Sequence, residues 1–175
     1  MKFAGLCILF IAVAGCADVD ITDPNDGESE AVAQAVSGVY RIRVRHSNQC
    51  LDVAGASPEN GAQLMQYHCH GQPNQRFQFE EVGDGYHRIR AIHSNKCLDV
   101  SGASAATGAR IMQYDCHGGP NQQFLLLPTD SNFVVIVARN SNLCLDIQGA
   151  GMETGANLMQ YHCHRAWNQQ FILEP

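Results

Sequence analysis

Four residue types recur three times in this chain, in the same order and at one spacing. Asp52, Asp99 and Asp146 lie 47 positions apart, and so do Tyr67, Tyr114 and Tyr161, His70, His117 and His164, and Asn74, Asn121 and Asn168. An ionised carboxylate presents two acceptor oxygens and can take hydrogen bonds from two neighbouring hydroxyls. A tyrosine offers a flat face for stacking, and an asparagine both donates and accepts. Flat aromatic surface beside fixed polar groups is what recognition of a pyranose requires. Plain structural roles compete at each position: an aspartate after Cys-Leu can cap a turn, and a tyrosine two residues before a half-cystine can belong to a core.

Other chemistries fit less well. Glycoside hydrolysis needs two opposed carboxylates in one asymmetric site, whereas each copy carries a single recurrent aspartate. No G-x-S-x-G elbow is present, so the chain is read as non-enzymatic. A zinc site at His68-Cys69-His70 would need free thiolates, and the second copy has Asp115 in place of the first histidine. No metal and no cofactor are expected.

The elements that must position these residues are written in the same repeat. Cys50 to Phe77 reads CLDVAGASPENGAQLMQYHCHGQPNQRF, Cys97 to Phe124 reads CLDVSGASAATGARIMQYDCHGGPNQQF, and Cys144 to Phe171 reads CLDIQGAGMETGANLMQYHCHRAWNQQF. Each copy is one supersecondary unit that needs its neighbours to bury its apolar face. Each opens on a strand pattern, Tyr40-Ile42-Val44, Tyr86 through Ile92, or Phe133 to Val137. A Ser-Asn pair suited to a left-handed turn follows. Cys-Leu-Asp-Val/Ile predicts a second strand, a Gly-rich loop ends at Gly61, Gly108 or Gly155, Leu/Ile-Met-Gln-Tyr predicts a third strand, and the Asn-Gln-x-Phe end predicts a fourth. No sustained helical period appears, so the fold class is all-β.

The 175 residues are 45% hydrophobic, enough for one ordinary domain. Six of the 17 acidic residues precede Gly38, and the rest of the chain carries ten basic residues against eleven acidic ones. A balance so near neutral argues against a nucleic-acid partner. Six of the eight cysteines form pairs 19 positions apart, and threefold repetition makes Cys50–Cys69, Cys97–Cys116 and Cys144–Cys163 the most economical disulfides for a secreted chain.

The first 15 residues combine Lys2 with a short apolar run, as a secretory signal does. Val13-Ala14-Gly15-Cys16 resembles the bacterial lipobox, which would make Cys16 an acylated N-terminus anchored in a membrane, with the outer membrane or cell surface favoured. Residues 16–37 read as an acidic tether. The expected organisation is a lipoprotein signal (1–15), a lipidated tether (16–37) and one folded domain (38–175), with repeats at about 38–84, 85–131 and 132–175.

The CLDV strand, Gly-rich loop, Q-Y-x-C and N-Q-x-F resemble the ricin B-chain type lectin repeat, whose signature ends in Q-x-W. The resemblance covers about residues 38 to 175. It implies a β-trefoil of twelve strands, six closing a barrel and six forming a hairpin cap, in a monomeric chain whose partners are glycans or polysaccharides. It also implies that Asn74, Asn121 and Asn168 contact sugar, and that Gln75, Gln122 and Gln169 support the aspartates. The histidines would line the same rim. Phe77, Phe124 and Phe171 replace the usual Trp, keeping its bulk without the indole donor. The sugar-contacting Gln often found four residues before the second cysteine is here Met65, Met112 or Met159. Strand alternation should send the neighbouring Gln66, Gln113 and Gln160 to the face opposite the tyrosine. In the third copy Trp167 stands beside Asn168, where either a wider sugar platform or packing under the loop would account for it. A trefoil that binds protein and has no sugar affinity is the competing function.

Overall fold

The computed structural model describes residues 36–175; the expected signal, the expected lipidation at Cys16 and nearly all of the expected tether lie outside the described residues. Twelve short strands alternate with tight turns: β1 (Gly38–Val44), β2 (Cys50–Val53), β3 (Leu64–Tyr67), β4 (Phe77–Gly83), β5 (Tyr86–Ala91), β6 (Cys97–Val100), β7 (Ile111–Tyr114), β8 (Phe124–Pro128), β9 (Val134–Ala138), β10 (Cys144–Ile147), β11 (Leu158–Tyr161) and β12 (Phe171–Glu174). Antiparallel pairing runs β1–β4–β5–β8–β9–β12 and returns to β1, a closed ring of six strands. Closure removes the exposed edges that an open sheet would present. The other six strands form three hairpins, β2–β3, β6–β7 and β10–β11. This is a β-trefoil, as the family resemblance implies.

Period-two alternation decides which side chains enter the barrel. Ile42, Val44, Phe77, Phe79, Ile89, Phe124, Leu126, Ile136 and Phe171 are fully buried; on β1, β4, β5 and β8 the residues between them face out, whereas on β9 Val135 is buried as well. The outward positions are charged in complementary fashion: Glu80 on β4 pairs with Arg88 and Arg90 on β5, and Glu174 on β12 with Arg41 and Arg43 on β1. Phe77, Phe124 and Phe171 fill the core without needing the hydrogen bond a tryptophan would have to find. The Ser-Asn turns are left-handed at the asparagine, with φ of 60°, 60° and 57° at Asn48, Asn95 and Asn142. One expectation changes. Asn-Gln does not start the fourth strand but sits in a single 3-10 turn, Pro73–Gln75, Pro120–Gln122 or Trp167–Gln169, and the strand begins at the phenylalanine.

The hairpins meet on the pseudo-threefold axis through isolated bridges Gln63–Met112, Met65–Asn157 and Arg110–Met159. Gln63 Nε2 stands on that axis, 2.8, 3.0 and 2.9 Å from the carbonyl oxygens of the equivalent residues Leu64, Ile111 and Leu158. Only the first repeat has a glutamine there; the others carry Arg110 and Asn157. The expected disulfides are all present, each closing a separation of 19 residues around one hairpin. Such bonds mark an exported or extracellular protein. No helix among the described residues is long and apolar enough to cross a membrane.

Candidate functional site

Each hairpin turns one face to the core and one to a pocket. In the first repeat Leu51, Val53, Leu64 and Gln66 point inward, and Asp52, Met65 and Tyr67 share the opposite face, because residues paired across an antiparallel ladder lie on the same side. The Gly-rich loop then folds under that face. Gly55 and Ala56 are consecutive left-handed residues, at φ of 63° and 49°, and so are Gly102-Ala103 and Gly149-Ala150. Open space surrounds the missing Cβ of these glycines, so the dihedral rather than crowding requires them.

Three equivalent cavities result, of about 310, 340 and 380 Å³ in the first, second and third repeats. The first is lined by Asp52, Gly55, Ala56, Met65, Tyr67, His70 and Asn74, and the others by their counterparts around Asp99 and Asp146. These volumes suit one small ring each, at the lower end for ligand pockets. The Gly-Ala pairs and the methionines belong to the lining although their chemistry did not single them out. Their recurrence after each CLDV/I and before each Gln-Tyr was the available signal.

The aspartates are almost completely buried, at 3%, 2% and 2% exposure, yet held asymmetrically. Asp52 Oδ2 accepts from Asn74 Nδ2 at 2.9 Å, Gln75 Nε2 at 2.9 Å and His70 Nε2 at 3.1 Å. Asp99 Oδ2 accepts from Asn121 at 2.9 Å, Gln122 at 2.8 Å and His117 at 3.2 Å. Asp146 Oδ2 takes Asn168 at 3.0 Å and Gln169 at 2.8 Å, with His164 Nε2 at 3.2 Å. In each case Oδ1 has no hydrogen-bond partner among the described residues. One oxygen is saturated by the protein, and the other is left to the pocket.

The histidine's role follows from its other nitrogen. The backbone N–H of Gln72 donates to His70 Nδ1 at 3.2 Å, and Gly119 and Ala166 do the same for His117 and His164. Nδ1 is therefore the acceptor, and the ring proton sits on Nε2, aimed at the carboxylate. The rings also meet the tyrosines edge to face, with centroids 6.1, 6.5 and 6.2 Å apart. Tyr67, Tyr114 and Tyr161 are 38%, 40% and 40% exposed, open to a stacking partner.

Gln75, Gln122 and Gln169 stand behind the pockets, fully buried. Gln75 Oε1 accepts from the N–H groups of His70 and Gly71, and Nε2 donates to Asp52 and to the His68 carbonyl. All four bonding positions of the amide are used, and none remains for a ligand. Asn74, Asn121 and Asn168 do line the pockets: Nδ2 holds the aspartate, and Oδ1 has no hydrogen-bond partner among the described residues. Gln66, Gln113 and Gln160 face the core, as alternation predicts. Cys69 is bonded to Cys50, so the thiolate that a zinc site at His68-Cys69-His70 would need does not exist. Trp167 is 60% exposed, with the Arg45 guanidinium 4.8 Å from its ring, and is not part of the third cavity's lining.

The family profile described as ricin-type beta-trefoil lectin domain matches residues 38–171. A β-agarase of Agarivorans albus is 39% identical over 49 residues, 27% of this chain and 11% of that enzyme. Among solved structures, the designed threefold-symmetric protein ThreeFoil shares 40% identity at a TM-score of 0.77, covering 78% of this chain and 98% of the design. An exo-β-1,3-galactanase from Clostridium thermocellum shares 27% identity at a TM-score of 0.76, over 80% of this chain and 30% of that one. The matched part is thus a minor share of both enzymes.

Proposed function

The chain belongs to the ricin-type β-trefoil lectin family, and from that premise we propose that it is a non-catalytic carbohydrate-binding protein with three sites, each seating one pyranose unit of a glycan or polysaccharide. The observation that carries this reading is the half-saturated aspartate facing an exposed tyrosine, built three times. Oδ2 is fixed by three donors, so Oδ1 is already oriented when a sugar hydroxyl arrives, and little ordering entropy is left to lose on binding. Each pocket has one carboxylate, short of the pair glycoside hydrolysis requires. Three weak sites engaged by one polymer gain about 10²- to 10⁴-fold in avidity where the spacing permits. The expected signal at 1–15, acylation at Cys16 and the acidic stretch to residue 37 complete the proposal: a lectin tethered to a bacterial membrane, facing glycans outside it.

The test is a glycan array probed with the full chain and with the Asp52→Asn/Asp99→Asn/Asp146→Asn variant. Asparagine preserves shape but removes the charge and places an amide where two acceptor oxygens stood. Binding is expected to fall by more than about 100-fold, since each charge-assisted hydrogen bond contributes roughly 1.5–3 kcal/mol, while the circular dichroism spectrum stays that of the parent. Undiminished binding by the triple variant would sink the assignment. A protein partner captured equally well in excess free sugar would instead favour the protein-binding trefoil.

The third pocket also carries a pH signature. Burial holds the Asp146 carboxyl above its ordinary value of 3.8, against the opposing hydrogen bond from Gln169, the electrostatic pull of the adjacent His164 ring and the hydrogen bonds from Asn168 and His164. Its protonated form therefore stabilises the fold fully below pH 3.8, and that contribution is lost as pH rises through the raised folded value. Sugar binding needs the ionised form and follows the opposite course. In an Asp52→Asn/Asp99→Asn variant, which leaves only this pocket, affinity is expected to drop about tenfold per pH unit below the folded value. The decline should begin above pH 3.8 in a calorimetric titration; onset only below 3.8 contradicts it.

A further inference from the structure

Building on the carbohydrate reading above, we propose that Met65, Met112 and Met159 set the specificity of the three pockets, selecting a sugar unit that presents a deoxy or anhydro carbon, rather than a hydroxyl, beside the carboxylate. Asp52 and Met65 are directly paired across β2 and β3, as are Asp99 with Met112 and Asp146 with Met159. Side chains paired in this way have Cβ atoms roughly 4.5–5.5 Å apart and point to the same face. A ligand oxygen held by the free Oδ1 thus lies within one side chain's reach of the thioether. The next substituent on the sugar ring must rest against it.

A hydroxyl in that place finds no partner. Thioether sulfur is only a weak acceptor and donates nothing. The glutamine next along the strand cannot substitute, because Gln66 points to the core, where its amide bonds Ser47 Oγ and the carbonyls of Gly151 and Glu153. The floor beneath is Gly55 and Ala56, which adds a methyl group and no polar side chain. The donors of Asn74 and His70 converge on Asp52 Oδ2, so that besides the Tyr67 hydroxyl the polar atoms left open are the acceptors Asp52 Oδ1 and Asn74 Oδ1, and Met65 supplies its flank with neither a donor nor a good acceptor. Burying an unpaired hydroxyl is unfavourable, whereas a methyl, methylene or ether-bridged carbon there gains contact with a polarizable, adaptable side chain.

The same flank is built in each repeat while its surroundings vary. The residue after the tyrosine is His68, Asp115 or His162, and the first residue of β3, β7 and β11 is Leu64, Ile111 or Leu158, but the pocket-lining thioether is in all three. All three sites therefore select the same feature, as a repeating polymer or a multiply displayed terminal sugar would require.

The experiment compares matched sugars as methyl glycosides, galactose against 6-deoxygalactose and against 3,6-anhydrogalactose, on the full chain, on Met65→Gln/Met112→Gln/Met159→Gln, and on the corresponding triple Leu variant. The parent and the Leu variant are expected to prefer a deoxy or anhydro member by about tenfold or more, and the Gln variant, which offers the hydroxyl a donor and an acceptor, to reverse that order. Equal affinity within each pair for the parent overturns the inference, and so does a preference that survives in the Gln variant. These outcomes leave the carbohydrate reading standing. Failure of the parent to bind any sugar overturns both.

Discussion

Reduction of the three disulfides is expected to lower the melting temperature by on the order of 30 °C and to abolish glycan binding with it. Each bond joins a buried cysteine at the start of a cap hairpin (Cys50, Cys97 or Cys144) to an exposed one just after it (Cys69, Cys116 or Cys163), so a reductant has access to one sulfur of each pair. In the chain-entropy account, a closed loop of about 20 residues contributes roughly 3 kcal/mol, so three contribute roughly 9–10 kcal/mol. That is comparable to the whole stability of a domain this size, about 5–15 kcal/mol. With about 3–5 °C per kcal/mol, the shift follows. The loops also contain the pocket aspartates, Gly-Ala floors, methionines and tyrosines, so function should fail with the cap. Thermal melts with and without a strong reductant provide the measurement; a shift of only a few degrees would mean that the barrel carries the cap unaided.

The second large effect is expected at a distance from the residue changed. Gln113 is fully buried in the second repeat, where Oε1 accepts from Ser94 Oγ at 2.7 Å and Nε2 donates to the carbonyls of Ser57 at 2.7 Å and Glu59 at 2.9 Å. Ser57 and Glu59 belong to the Gly-rich loop of the first repeat. Gln160 reaches in the same way to Ser104 and Ala106 of the second, and Gln66 to Gly151 and Glu153 of the third. Each repeat therefore secures the pocket loop of another, in a closed cycle. Gln113→Ala leaves the Glu59 carbonyl without a partner and the Ser94 hydroxyl without its acceptor, since His93 Nε2 remains 3.0 Å from the Ser57 carbonyl and the Lys96 N–H still donates to Ser94 Oγ at 3.3 Å, and should cost about 2–4 kcal/mol. Urea denaturation measures that loss. The same variant, combined with aspartate changes that isolate one pocket at a time, should weaken the first pocket more than the second, although the mutated residue lies in the second repeat. Equal weakening of both, or a stability loss under about 1 kcal/mol, would show that the cross-repeat bonds are dispensable.

Much of this organisation is legible in the sequence because threefold repetition multiplies every local signal. Apolar alternation in Tyr40-Ile42-Val44 and its counterparts specifies which side chains enter a barrel, and the 19-residue cysteine spacing specifies the disulfides. The inward turn of Gln66 follows from period two alone. Local pattern did not show that Asn74 and Gln75 occupy a 3-10 turn, since a single turn is too short to leave a period. Nor could it distinguish the two amides: Asn74 lines the cavity and Gln75 is spent behind it, a difference set by which way one turn of chain points each side chain.

The residue types themselves determined the all-β class, the three equivalent units and the identity of the aspartate, tyrosine, histidine and asparagine that surround each cavity. Those properties depend on composition and spacing, which the chain carries before it folds. Tertiary structure alone decided that one oxygen of each aspartate would be consumed by the protein and the other left open. It also decided that methionine and a left-handed Gly-Ala step would complete the pocket, and that each loop would be fastened by a different repeat. These depend on the direction of individual side chains and on contacts between residues some 50 positions or more apart, about 55 for Gln113 with Ser57 and Glu59. Only closure of the barrel around its axis brings such residues within hydrogen-bonding distance.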